Sequence, residues 1–573
     1  MNVGQPDPIP APSESARSPL ERAIETIVQN VDPAKIQDEV ARQCVMQLLN
    51  LVERLAGELR KAQAEIQFLR QQRGSGKAGG GKPDSAAGVG PGSAQRSSEQ
   101  RRRETKEWNK SRKLDKIRID REQKLPLDRT LLPPDAESKG YEAVVVQELR
   151  ISTDNVRFLK EKSYSAAEGR TYLAELPEGF SGEYGPNVKS LCLLFSHLGN
   201  MTEPKIREWF ANMGIVISAG QISRFVTQGQ EGLRQEKEEI VEAGLASSPW
   251  QHLDDTGTRV NGENWHCHVL CNPLYAAYCT TPRKDRQTVI DVLRNQRPRI
   301  YRINDEALVL LRQWGLAERA LQAVGSLASP QEWSEQEMEE ALRQTVAVGE
   351  PQRRQILDAA AIAAYHAEVG HPVVRLLVCD DAKQFKRVTE ELALCWVHDG
   401  RHYETLQPCV PLHRQQLDAF LDGYWAYYRQ LLEYRQQPTV EEAARLSQEF
   451  DPLFSTVTGY EALDQRIART KSHKAYLLMV LVHPEIPLHN NPVELDGRLR
   501  VRKRVVSYGP RSKEGAQAWD TMETLLGTAK KLGVNFFAYI RDRVSGLNRM
   551  RSLAELIRQR TPDLNLGASW AGS

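Results

Sequence analysis

The stretch between residues 250 and 280 does most to constrain the fold. Residues 250–260, 265–272 and 274–280 read as strands, and Asn261-Gly262 and Asn272-Pro273 punctuate them as tight turns. A helix-like stretch follows, Lys284 to Arg297. Much later a continuous apolar run, Val373 to Cys379, reads as a buried strand. Three acids stand at informative places in this frame. Asp254 lies in HLDDTGTRV on the first strand, Asp380 ends the buried strand in VRLLVCDDAKQF, and Glu494 opens a helical, arginine-rich segment in HNNPVELDGRLRVRKR. Carboxylates from two strand ends and a helix can converge on divalent ions, because hard cations take oxygen ligands. Two such ions about 3.5–4 Å apart can clamp the attacking and leaving oxygens of a phosphoryl transfer. An isolated aspartate at a strand end is usually a turn or cap residue, so the weight rests on the local contexts.

A three-strand meander, a helix, then an apolar strand ending in Asp is the layout of an RNase H-like core. The chain resembles transposases of the insertion sequence sixty-six family, which belong to the DDE class, from about Tyr141 to Gly546. DDTGTRV (254–260), CDDAKQF (379–385), CWVHDGRHYETLQP (395–408), HNNPVE (489–494) and RVRKRVVSYGPRSKEG (500–515) carry the resemblance. It implies an α/β fold: an RNase H-like catalytic core with helical insertions, preceded by a coiled coil and a helix-turn-helix DNA-binding region. It also implies a DNA transposase that cuts and joins strands with two Mg2+ (or Mn2+) ions held by Asp254, Asp380 and Glu494. Successive strand residues face opposite sides, so only one of Asp254 and Asp255, and one of Asp380 and Asp381, can point at the metals. The family's D-E-T pattern matches Asp254-Asp255-Thr256 and favours Asp254. A catalytically inactive or domesticated DNA-binding relative is the alternative reading.

At 573 residues and 40% hydrophobic the chain can bury several cores. Residues 1–43 are expected to be largely disordered. A heptad of Val45, Leu48, Val52, Leu55, Leu59, Ala62, Ile66 and Leu69 predicts a coiled coil over 44–73, and through it a homodimer or higher oligomer. A Gly/Ser-rich linker spans 74–100. Residues 101–185 are a basic segment and a small β-rich module (YEAVVVQELRI, NVRFLKEKSY). Between Arg101 and Arg129 there are 12 Lys or Arg against six Asp or Glu. Many family members carry a cysteine zinc segment there; this chain has no C-x-x-C, so a zinc-free version is expected. Residues 186–245 read as helix-turn-helix, with helices from Thr202 to Met213 and after Ser218, broken at Gly214. Gln221, Ser223 and Arg224 would read bases from the second helix. The catalytic part spans 246–545, with helical insertions near 297–371 and 400–480, and 546–573 is a tail.

Net charge is only +2, so contact with double-stranded DNA, at element ends and target, must come from local patches. Arg498, Arg500, Arg502, Lys503 and Arg504, beside Glu494, are candidates for holding phosphates. The aromatics Phe420, Tyr424, Trp425, Tyr427 and Tyr428 suit a core better than a base-stacking platform. Eight scattered cysteines and no membrane-length apolar run predict a reduced cytoplasmic protein, on the nucleoid when bound to DNA. Elements of this family often encode small accessory proteins, which are further potential partners. Two rival chemistries remain open at this point. His266 and His268 share a strand face, as in paired-histidine nucleases with a tyrosine nucleophile (Tyr275 or Tyr278). Cys395, His398 and His402, with Cys409 beyond, offer zinc-type donors.

Overall fold

The alternating segment and its turn residues fold into the expected meander. The computed structural model describes residues 26–28, 31–74, 117–128, 133, 136–137 and 140–570. They fall into two compact units, Met1–Glu58 with Val156–Ser573, and Leu59–Asn155. The second unit holds the later half of helix α1 (Glu39–Gly74), and its other described residues form no helix or strand. The N-terminal 25 residues, most of the expected linker and the basic run up to Lys116 lie outside the described residues.

The expected β-rich module is corrected. Residues 140–161 form no strand, and their apolar side chains, such as Val144 and Leu149, are exposed. A strand needs a partner to satisfy its backbone, and here only β1 (Lys162–Ser165) and β2 (Arg170–Leu173) pair, as an antiparallel hairpin. Next come α2 (Pro186–His197), α3 (Glu203–Asn212) and α4 (Ala219–Thr227), where helices were expected. Gly214 breaks the chain at φ +77°, and the Ser218 side chain caps α4 by accepting the Gln221 amide. Cys192, Ile206, Phe210, Ile217, Ile222 and Val226 form their shared core.

After α5 (Glu231–Ala246) comes the sheet: β3 (Trp250–Val260), β4 (Glu263–Cys271), β5 (Ala276–Thr281), β6 (Leu376–Cys379) and β7 (Glu391–Leu394). Its order is β5-β4-β3-β6-β7. β4 runs antiparallel to β3 and β5, while β6 is parallel to β3 and β7 to β6. Between β5 and β6 lie α6 (Arg286–Leu293), α7 (Asp305–Gln313), α8 (Glu318–Gly325), α9 (Glu335–Thr345) and α10 (Glu350–His366). Within the expected helical insertion, Gly315, at φ +77°, separates α7 from α8.

Beyond β7 follow α11 (Trp396–Glu404), α12 (Pro411–Tyr434), α13 (Val440–Leu453), α14 (Glu461–Ser472), α15 (Asn491–Ser507), α16 (Lys513–Lys531), α17 (Phe536–Val544) and α18 (Leu553–Leu564). Phe420, Tyr424 and Tyr427 are buried around Trp396 with Phe450 and Phe454, so these aromatics are core. The C-terminal stretch is more than a tail. Leu553, Ala554 and Ile557 of α18 join the main core, and Trp570 stacks on His483 at 3.7 Å.

The heptad divides in the folded chain. Val45 and Val52, with Leu49 and Ala56, pack on Cys409, Val410 and Leu412. Buried Glu53 accepts the Cys409 and Val410 amides at 2.8 and 3.0 Å, just before α12. Leu48, Leu55, Leu59, Ile66 and Leu69 remain exposed along the same helix.

Candidate active site

The parallel pairing of β3 and β6 sets two of the acids level. Trp250 pairs with Leu376, Gln251 with Leu377 and His252 with Val378; two residues further along come Asp254, on β3, and Asp380, just past the end of β6. β6 ends at Cys379, and the Asp380 carboxylate turns back to accept the Ala382 amide at 3.0 Å. Glu494 enters from the first turn of α15.

Asn490 locks that helix start to the sheet. Its side-chain oxygen bonds His252 Nδ1 (2.7 Å), its Nδ2 donates to the Leu253 carbonyl (3.2 Å), and its amide donates to Cys395 Sγ (3.1 Å). Cys395 is the N-cap of α11 and also accepts the His398 amide. Asn490, His252 and Cys395 therefore hold β3, α11 and α15 together below the acids. Sequence reading missed this scaffold, although Asn490 sits within HNNPVE and Cys395 opens CWVH.

The neighbouring acids live in unlike surroundings. Asp255 receives Lys284 Nζ (3.1 Å) and Gln384 Nε2 (2.8 Å). Asp381 is paired with Lys386 and Arg469, both at 2.6 Å, with His473 at 3.6 Å. Burial alone would raise the Asp381 carboxyl, but hydrogen bonds from Lys386 and Arg469 outweigh it and hold it below the ordinary range. Among the described residues, Asp254 accepts only the adjoining Asp255 amide. Burial, then the charges of Asp380, Asp255 and Glu494, push its carboxyl up to about 8. Burial likewise raises Asp380, offset in part by the Ala382 amide and His398.

Glu494 is the acid of the three gripped by an arginine: Arg401 holds both its oxygens (3.1 and 3.2 Å), and the His398 ring nitrogen Nε2 lies 3.4 Å away. Both come from α11. Among the described residues, no group of three or more His, Cys, Asp or Glu side chains is closed into a metal cage as they stand. The donors themselves are hard carboxylate oxygens, and Asp254, raised first by burial and then by its acidic neighbours, is a carboxyl whose charge a divalent cation would stabilise. That chemistry fits Mg2+ or Mn2+.

The rival donor sets are not assembled. The Cys395 thiol is pushed up to about 11 by burial and its sulfur is taken by two amides, while Cys409 lies in the cluster beneath α1. His268 Nε2 is bound to Thr281 Oγ1 at 2.9 Å. The Tyr275 and Tyr278 hydroxyls are spent on the Gln251 side chain and the Asp496 carbonyl, and burial raises both phenols far above their ordinary range.

The cationic candidates on α15 divide, and two are corrected. Arg500 is wholly buried, bonded to Asp520 (2.5 Å), Glu523 (2.7 Å) and Thr280 (2.7 Å). Lys503 is buried against Trp519 and donates to the Ser196 carbonyl of α2. The helix repeat turns these two positions inward, onto α16 and α2, so neither presents its charge at the surface. Arg502 is exposed and Arg498 half-buried, whereas Arg504 reaches the Gly257 carbonyl on β3. On α4, Arg224 is exposed and Gln221 and Ser223 are half-buried.

The mixed sheet with its many helices is an α/β architecture consistent with a transposase domain. Residues 352–518, which include Asp380 and Glu494, match the transposase IS66 family. The uncharacterized protein y4jO of Sinorhizobium fredii (strain NBRC 101917 / NGR234) is 35% identical over 310 residues, 53% of this chain and 94% of that protein. The chain belongs to the transposase IS66 family. No helix among the described residues is long and apolar enough to cross a membrane.

Proposed function

We propose that this chain is a DDE-type DNA transposase with Asp254, Asp380 and Glu494 as its catalytic carboxylates. The observation that carries the reading is the contrast within each aspartate pair: Asp255 and Asp381 are held in salt bridges by lysine or arginine, whereas among the described residues Asp254 and Asp380 form none. The sheet order, with only β4 antiparallel to β3 among its members, supports an RNase H-like core. Bound divalent ions, Mg2+ or Mn2+, would supply Lewis-acid stabilisation of charge at the reacting phosphate and a nucleophile of lowered pKa.

The chain's own residues supply position. Asn490 fixes the α15 start against β3, which keeps Glu494 facing Asp254, and the Asp380 turn sets its carboxylate at the strand end. Arg401 and His398 balance Glu494 until a cation replaces them. The bundle α2–α4 would hold element-end DNA through Gln221, Ser223 and Arg224, and Arg498, Arg502 and Arg504 would flank the reacting strand. The exposed stripe Leu48, Leu55, Leu59, Ile66 and Leu69 suits pairing with a second copy, which would bring two element ends together.

The test is a Mg2+- or Mn2+-dependent cleavage assay on DNA bearing the flanking element ends, with Asp254→Asn beside the parent chain. Metal-dependent nicking lost in the variant supports the reading. Nicking that persists in Asp254→Asn overturns the assignment. DNA binding without cleavage by the parent favours the non-catalytic alternative.

A further inference from the structure

We infer that a second DNA contact lies at the far end of α15, in a cavity of about 600 Å³ between the β3–β4 turn and the loop after α15. This inference rests on the DNA-transposase reading and adds a ligand subsite to it. Arg259, Asn261, Arg504, Tyr508, Pro510 and Arg511 line the cavity.

The walls are fixed by backbone rather than by mobile side chains. The Asn261 amide donates to the Pro510 carbonyl at 2.9 Å. Gly509, at φ +101°, passes so close to the Arg259 carbonyl that a Cβ there would collide with it. Tyr508 ends α15 in the left-handed conformation at φ 60°, which is costly for an aromatic residue. That cap holds the Tyr508 side chain 85% exposed, out over the cavity, where a core residue would turn inward. Arg259 and Arg511 are exposed, and neither guanidinium is engaged by an ion pair among the described residues. Two free cations and an aromatic face beside a rigid concavity complement a nucleotide: phosphate to arginine, base face to tyrosine.

The spacing gives the site its register. Asp254 and Arg259 are five residues apart on one strand, about 17 Å at ~3.4 Å per residue. Glu494 and Tyr508 are 14 residues apart, about 21 Å at 1.5 Å per residue of helix. With a rise of about 3.4 Å per nucleotide, the cavity sits roughly five or six nucleotides from the carboxylates. A base can stack on Tyr508 only if one of its faces is free. The occupant is therefore a single-stranded segment of DNA, its base against Tyr508 and its phosphates at Arg259 and Arg511.

The experiment uses the full chain and an element-end duplex with a single-stranded overhang, against the blunt duplex, in fluorescence anisotropy titrations from low to moderate KCl. Tyr508→Ala should weaken overhang binding by about 5- to 150-fold, the range for one stacked base, with Tyr508→Phe restoring it and the blunt duplex unaffected. The Arg259→Gln/Arg511→Gln double variant should flatten the slope of log K against log salt by about 1.4–1.8, two phosphates' worth. A Tyr508→Ala variant within twofold of the parent, or an unchanged salt slope, overturns the cavity assignment alone. No DNA binding by the parent chain overturns the reading beneath it as well.

Discussion

Asp254 and Asp255 are one residue apart on β3, and Asp380 and Asp381 one residue apart beyond β6, yet the pairs divide the same way. The outer members, Asp255 and Asp381, are matched by Lys284, Lys386 and Arg469. The inner members face each other and Glu494, and burial, then these neighbouring charges, raise the Asp254 carboxyl to about 8. Structural acids are found with partners because an unpaired charge away from water is costly. A site kept short of cations is one that a mobile cation completes. The difference teaches that the residues held at an electrostatic cost are the ones to test for function.

The sharpest way to break this comparison is substitution within each pair. Asp254→Asn, Asp380→Asn or Glu494→Gln should reduce DNA cleavage by on the order of a thousandfold or more while DNA binding survives. Asp255→Asn and Asp381→Asn should keep cleavage within about tenfold of the parent, since they lose only ion-pair partners. Gel-resolved nicking of a labelled element end measures all five; an active Asp254→Asn beside an inactive Asp255→Asn would invert the assignment. The second contrast is among the cations of α15. Arg500→Ala strands Asp520 and Glu523 without their buried partner and should cost about 3–5 kcal/mol in urea unfolding. Exposed Arg502→Ala should stay within about 0.5 kcal/mol. Equal losses from the two would mean that burial does not sort this helix.

These contrasts also mark what the sequence could carry. Strand and helix positions were legible wherever local chemistry decides them: Asn261-Gly262 turns the hairpin, Ser218 caps α4, and the apolar run ending at Cys379 is a buried strand. The acids stood out in the sequence by their contexts, and the partners that separate Asp254 from Asp255 come from Lys284 and Gln384, far along the chain. The arginine run was not, because RVRKR reads as one basic face while the 3.6-residue repeat sends Arg500 and Lys503 into the core. Nor was the inward half of α1 legible. Val45 and Val52 fit a heptad seam equally well, and only Cys409 and Val410, more than 350 residues away, reveal that they pack within the chain. The scaffold at Asn490 joins residues more than 200 positions apart, and no local pattern carries such a bond.

The raised Asp254 carboxyl has a consequence for stability in the metal-free protein. Its folded pKa, about 8, lies above the usual value of about 3.9 for an unfolded chain. Between these values the native state keeps a proton that the unfolded state has lost, so the stabilisation is full below the lower value and is lost as pH rises through 8. Asp254→Asn removes the ionising group. At pH 9 in chelator the variant should be more stable than the parent by at least about 1 kcal/mol, less than one pKa unit's worth, with the gain shrinking towards pH 5. Thermal unfolding across that range measures it. Asp255→Asn, which takes a partner from Lys284, should show no such gain. A parent chain with the same pH slope as Asp254→Asn would show that the inner acid is already compensated, and the comparison between the pairs would fail on energetic grounds.

The smallest effect concerns DNA. Arg502 is exposed on α15 and Lys503, its neighbour, is buried against Trp519 with its amine on Ser196. If phosphates run along the outer face of this helix, Arg502→Ala should lower affinity a few-fold at low salt and flatten the salt dependence by about one. Lys503→Met should leave that slope as it was, because a buried ammonium releases no counterion when DNA binds. Any loss of affinity in Lys503→Met should instead follow its stability, through the bond between α15 and α2. Salt titrations of both variants, taken well below their unfolding temperatures, separate the two behaviours. A slope that falls equally in both would place Lys503 at the phosphates and require α2 to move away from α15 when DNA binds.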